Sequence, residues 1–293
     1  MLIKESYHDV STSYGTKLRI HVYSPHVPQY PNAKFPAVLV FSEIYQVTGP
    51  VARFARLIAG QGFIVAAPSV YHNFVSPEPL AYDGPGTDAG NAYKAQKPLA
   101  SYDEDLDLTV ALLQSLPNFK SGSRIGATGM CLGGHLALRA AFHKDIEAYV
   151  SFFGTDIHSS TLGTVVDTPA PAATEAPSST TRPPAHHTLD RIRAGELPTS
   201  TEGLLIFGTL DPHVPPAGRD IIRASLRDAN ATFSFYEVAG AQHAFVRDEF
   251  SKGRYDPAVT GIGFTILLEL FNRVLKLDLG APLVEQVPVD HVC

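Results

Sequence analysis

The stretch SRIGATGMCLGGHLALRAAF, residues 123–142, decides the fold. SRIGAT is a short apolar run of the buried-strand type, and LGGHLALRAAF has helical spacing. Between them Gly129-Met130-Cys131-Leu132-Gly133 forms a sharp strand-to-helix turn, the nucleophile elbow pattern with Cys in place of Ser. Such a turn forces its central residue into a strained backbone, and flanking glycines are needed because side chains would clash there. The helix N-terminus behind Cys131 favours a thiolate. The Leu132 amide then points where an oxyanion forms, and the amide of Ile44 on the neighbouring loop supplies a second donor. A free cysteine is most often a small buried hydrophobe, but the glycine frame and the position make Cys131 the expected nucleophile. Gly126, Gly129, Gly133 and Gly134 also form a glycine-rich turn. They miss the G-x-G-x-x-G spacing and follow a mid-chain strand, which argues against dinucleotide binding.

Outward from this unit the same alternation recurs. LRIHVYS (18–24) alternates like a half-exposed edge strand, and buried-type runs follow at 35–41, 62–68, 147–153, 203–208 and 232–238. Helical spacing lies between many of them, at 51–60, 103–116, 132–143, 217–229 and 257–276. Strands alternating with helices imply parallel pairing buried on both faces. The expected architecture is a single α/β domain over residues 1–293, with a mostly parallel, doubly wound sheet of about seven strands and helices on both faces. Two segments break the rhythm. Residues 72–100, rich in Pro, Gly, Asp and Asn, read as a long functional loop. Residues 155–201 read as a flexible surface insertion, because TPAPAATEAPSSTTRPPAHH (168–187) cannot bury enough apolar surface to offset its ordering entropy.

Ligands of open α/β sheets bind beyond the carboxyl ends of the strands. Ser42-Glu43-Ile44-Tyr45 follows one strand, Cys131 a second, Asp211 a third and His243 the last. The order nucleophile, acid, histidine is that of an α/β-hydrolase. An imidazole there takes a proton from the nucleophile, and a carboxylate fixes its tautomer. His213 reads as a bystander beside Asp211. His186 and His187 have no metal-ligand frame, and neither metal nor cofactor is implied. Glu43 beside a thiol raises the cost of ionising it. Arg247, four residues past His243, suits either neutralising that glutamate or clamping a substrate carboxylate.

The 293 residues are 44% hydrophobic and 10% aromatic, enough for a sizeable core and unlike a disordered chain, a collagen repeat or a coiled coil. Lys plus Arg number 23 against 29 Asp plus Glu, a formal charge of −6 with no basic block, so nucleic acid and anionic membrane are not expected partners. Cys131 and Cys293 are the two cysteines, which excludes a disulfide framework and favours a reducing compartment. No apolar stretch approaches the ~20 residues that span a bilayer, and MLIKESYHDV lacks a signal-peptide core. The expectation is a cytoplasmic monomer or homodimer acting on a small molecule.

Taken together, SEIY (42–45), GMCLGGH (129–135), GTLDPHVP (208–215) and AQHAFVR (241–247) resemble the dienelactone hydrolase (carboxymethylenebutenolidase) family over most of residues 20–275. That resemblance implies a single-domain α/β-hydrolase that opens small lactones or esters without metal or cofactor. It implies Cys131 as nucleophile, His243 as base, Asp211 as its partner, and Glu43 as the carboxylate that gates the thiol. Ile44 and Leu132 match the oxyanion-hole amides, and Arg247 matches an arginine for a substrate carboxylate, with Tyr45 and Tyr93 lining the pocket. One departure stands out: Asp88-Ala89-Gly90-Asn91-Ala92-Tyr93-Lys94 holds no arginine where the family has its second one. Other esters and thioesters are the nearest alternative substrates for this machinery. A non-catalytic ligand binder is the alternative of a different class, and a redox thiol protein is a third.

Overall fold

In the computed structural model, residues 1–165 and 185–276 are described. Eight strands form one sheet: β1 (Leu2–Ser11), β2 (Lys17–His26), β3 (Ala37–Phe41), β4 (Ile64–Pro68), β5 (Ile125–Met130), β6 (Ile146–Phe152), β7 (Glu202–Gly208) and β8 (Thr232–Val238). Their order is β1-β2-β4-β3-β5-β6-β7-β8. The β1–β2 and β2–β4 pairs are antiparallel and all others parallel. Every residue of β3, β4 and β5 is buried, as strands covered on both faces must be.

The helices are α1 (Gly49–Gly60), α2 (Gly84–Gln96), α3 (Leu99–Ser115), α4 (Leu132–Ala140), α5 (Thr188–Arg193), α6 (Pro216–Asp228) and α7 (Pro257–Phe271), the last followed by a π-helical turn, Asn272–Lys276. Phe54 of α1 meets Phe264 of α7 and Phe152 of β6 edge-on, joining α1 and α7 over one face. The helices α3 and α4 cover the other face and touch each other there.

The expected fold class is the observed one, with corrections of detail, among them that 232–238, read as a buried-type run, is the edge strand β8, in which no residue is buried because no strand covers its far side. The sheet has eight strands because β1 exists: it is exposed along most of its length, so its sequence carries no burial period. Its presence moves β2 off the edge, although the half-exposed alternation of β2 is as read. Residues 72–100 are not a loop throughout but hold all of α2. Asp83 caps that helix by accepting the Gly86 amide (2.7 Å), and Pro85 sits in its first turn. The segment is then tied down by a buried polar cluster: Lys97 Nζ donates to Asn73 Oδ1 (2.7 Å) and pairs with Asp105 (3.0 Å), which also bonds His72 (2.7 Å). Finally, the later part of the 155–201 insertion is built into the body. Leu189, Ile192 and Leu197 are buried, Thr188 bonds His135 of α4 (2.8 Å), and Arg139 of α4 donates to the His186 carbonyl (2.9 Å). Most of the Pro/Ala/Ser/Thr-rich run lies outside the described residues, as does Cys293.

The helix Pro257–Lys276, 20 residues at a mean hydropathy of 1.5, is long and apolar enough to cross a membrane by length and composition. That corrects the sequence reading, which counts no such stretch. Here the helix lies along β6 and β7, burying Gly263, Leu267, Leu270 and Phe271, and Arg273 is bonded to Glu202 (2.8 Å).

Candidate active site

Parallel strands deliver their carboxyl ends to one edge, and five of them build the site. Cys131 leaves β5 and caps α4 with φ 60° and ψ −120°, a left-handed conformation that costs a non-glycine residue on the order of 1–3 kcal/mol. Its amide donates to Phe152 O (3.1 Å) and its carbonyl accepts from Gly134 (3.0 Å) and Thr155 (3.2 Å), so the strain is held by β6 and α4 together. Glycine is required on both sides. A Cβ on Gly129 would lie 2.4 Å from Gly133 O, and one on Gly133 would lie 2.1 Å from Phe41 O. Cys131 is free and partly exposed, while Leu132 behind it is fully buried. Neither the Leu132 nor the Ile44 amide has a hydrogen-bond acceptor among the described residues.

His243, past the end of β8, is buried and engages Asp211, past the end of β7, through Nδ1 and Oδ2 at 2.8 Å. Asp211 Oδ1 accepts the His213 amide (2.8 Å), so both carboxylate oxygens are used. Burial opposes the charge on Asp211, yet its bond to His243 holds its pKa below the usual range. Burial likewise opposes a charge on His243. The Cys131 side chain and the Asp211 carboxylate outweigh it and push His243 up to about 10. The ring of His243 meets those of Phe153 (centroids 4.9 Å apart) and His213 (4.4 Å).

Glu43, 2% exposed, follows β3. It accepts from the Tyr82 hydroxyl (3.0 Å) and pairs with Arg247 Nη1 (3.4 Å), so Arg247 lies against the glutamate that the sequence reading offers as one of its two partners. Arg247 also lies over the Tyr82 ring (4.5 Å) and donates to Phe250 O (3.2 Å), but its buried Nε–H has no acceptor among the described residues. Tyr45 packs against Tyr82 (4.4 Å) and bonds Thr87 (2.9 Å). Tyr93 sits on α2, stacked on Phe74 (5.0 Å) and edge-on to Tyr71 (5.4 Å), in an aromatic cluster of the α2 segment. Tyr82, Phe153 and His213 are neighbours that sequence reasoning did not assign. The first two lie in segments without a motif. His213 lies inside GTLDPHVP, where its spacing from Asp211 was the available signal.

The buried Glu43–Arg247 pair sets a stability expectation. Arg247→Met leaves a carboxylate buried without a cation, which costs about 3 kcal/mol. Adding Glu43→Gln to Arg247→Met should recover most of that loss in a urea titration. No recovery in the double variant would mean that Arg247 contributes through packing on the tyrosines instead.

The model of the dienelactone hydrolase family matches residues 20–275. A Saccharomyces cerevisiae protein provisionally named carboxymethylenebutenolidase is 53% identical over 293 residues, covering the whole of both chains. A Synechocystis protein of the same provisional name is 26% identical over 83% of this chain and 88% of its own. Among solved structures, a provisionally named dienelactone hydrolase from Klebsiella pneumoniae superposes with a TM-score of 0.69 at 21% identity, covering 93% of this chain and all of that one. A dienelactone hydrolase-like promiscuous phosphotriesterase from metagenomic libraries gives 0.65 at 18%, covering 94% of this chain and all of that one. At these identities the superpositions show a shared fold.

Proposed function

Because the chain belongs to the dienelactone hydrolase family and is a hydrolase of ester bonds, we propose that it opens a small lactone or carboxylic ester through a thioester on Cys131. One observation carries this reading: a partly exposed thiol in a strained turn at the head of α4, with the buried His243–Asp211 pair at the same sheet edge. The Cys131 sulfur attacks the carbonyl, and the amides of Leu132 and Ile44 take up the charge on oxygen. His243 gives its proton to the departing alkoxide. Once sulfur is acylated it no longer carries the charge that raises His243, so the imidazole is neutral and can take a proton from water. That water cleaves the thioester, the acid leaves, and the thiol is restored. Asp211 holds the tautomer throughout.

Arg247 supports a substrate bearing a free carboxylate. A substrate carboxylate near Arg247 competes with Glu43 for the guanidinium. Tyr45 and Tyr82 wall this corner.

The test is to trap the intermediate. Acid quenching during turnover of a slow aryl ester should leave an acyl group on the peptide containing Cys131, seen as a mass increment that hydroxylamine removes. Turnover without any such increment, even when deacylation is slowed, would oppose covalent catalysis. Esters with a free carboxylate should also be preferred over matched neutral ones, and Arg247→Met should abolish that preference.

A further inference from the structure

The sequence reads His213 as a bystander, whereas the fold lays its ring across that of His243, with centroids 4.4 Å apart and planes inclined by 56°. His243 also meets the ring of Phe153, with centroids 4.9 Å apart and planes inclined by 66°, and the Phe153 backbone is held at φ 39° with its amide bonded to Ile206 O (2.7 Å). His243 thus packs against two rings, those of Phe153 and His213. His213 is well placed to act as a second wall. It sits in Asp211-Pro212-His213-Val214-Pro215-Pro216, where three prolines limit the backbone. Its amide is bonded to Asp211, the carboxylate that holds His243, and Val214 beside it is fully buried. Nothing else in the reaction requires a ring here, since His243 already has its acid partner.

Resting on the catalytic roles proposed above, we infer that His213 is a positioning residue, whose flat ring confines the His243 imidazole to the orientation that serves Asp211 and Cys131 together. The charges around it suit that task. Partial desolvation of its ring lowers the His213 pKa, and the neighbouring His243, Lys94 and Arg254 act in the same direction against the pull of Asp211. These influences disfavour a charge on the ring, which can then lie against a cationic His243 with little repulsion.

The experiment compares His213→Ala with His213→Phe on one aryl ester, with iodoacetamide alkylation at pH 7 as a second reading. Misplacing a catalytic group by about 1 Å can cost up to roughly a hundredfold. We expect His213→Ala to lower kcat about tenfold with KM within about twofold, since positioning acts on the chemical step. Alkylation of Cys131 should slow in parallel, and His213→Phe should restore both rates to within about threefold because a flat ring suffices. His213 is exposed, so both variants fold, which circular dichroism verifies. An unchanged kcat in His213→Ala, or a His213→Phe as slow as His213→Ala, overturns the inference. Cys131→Ala and His243→Ala run alongside. If either keeps full turnover, the underlying mechanism falls and the inference with it, a result distinct from an inert His213 variant in an enzyme that both controls silence.

Discussion

Cys131→Ala should lower ester turnover by roughly ten-thousandfold or more, because loss of a nucleophile leaves only binding and the oxyanion donors to act. The fold should survive: alanine can occupy the same strained position, and the hydrogen bonds that hold it come from the backbone of residue 131, which the substitution keeps. A second reading in the same variant checks the charge pairing. His243 is raised from 6.5 to about 10, and Cys131 supplies the largest of the raising contributions. A group whose pKa is raised by folding contributes stability that is complete below its unfolded value and is lost as pH rises through the folded one. The wild-type melting temperature should therefore fall as pH climbs from neutrality through about 10, and Cys131→Ala should show a flatter decline. Wild-type turnover in Cys131→Ala would remove the mechanism. Identical alkaline profiles would retain Cys131 as nucleophile but remove its pairing with His243.

The second large effect falls on the elbow itself. Gly133→Ala should cost about 4 kcal/mol or more, near the upper limit for a point substitution. The added Cβ would lie 2.1 Å from Phe41 O, 2.5 Å from Phe41 C and 2.7 Å from Ser42 O. All three are backbone atoms at the end of β3, so no side chain can swing away to make room. In a domain of this size that loss lowers the melting temperature by roughly 8–16 °C. The same backbone leads directly into Glu43 and Ile44, so the surviving folded enzyme should also be slower. A calorimetric shift of under about 2 °C would show that β3 and α4 separate more easily than their packing indicates.

Much of this was legible along the chain. The runs that became β3 to β7 are apolar because both faces of the sheet are covered there, or nearly so, and that requirement acts on each strand locally. The elbow was legible because a strand-to-helix turn with a strained central residue has its own glycine pattern, although the backbone that Gly133 must clear belongs to β3. The strand β1 was not, since it pairs with β2 yet buries little, and backbone pairing leaves no mark on side-chain type. The helix α2 was hidden by its own glycines, and its cap and the Lys97–Asp105–His72 cluster are what order that segment.

The sequence by itself determined the strand-turn-helix unit around Cys131, the chain order of Cys131, Asp211 and His243, and the edge of the sheet where they arrive. Periodicity and turn chemistry act over a few residues, so they can be read one segment at a time. Only the tertiary structure decided which side chains touch. It paired Glu43 with Arg247, 204 positions apart, roofed them with Tyr82, and laid His213 on His243. Those contacts depend on strand order and on loop paths across the sheet edge, and no local pattern encodes them.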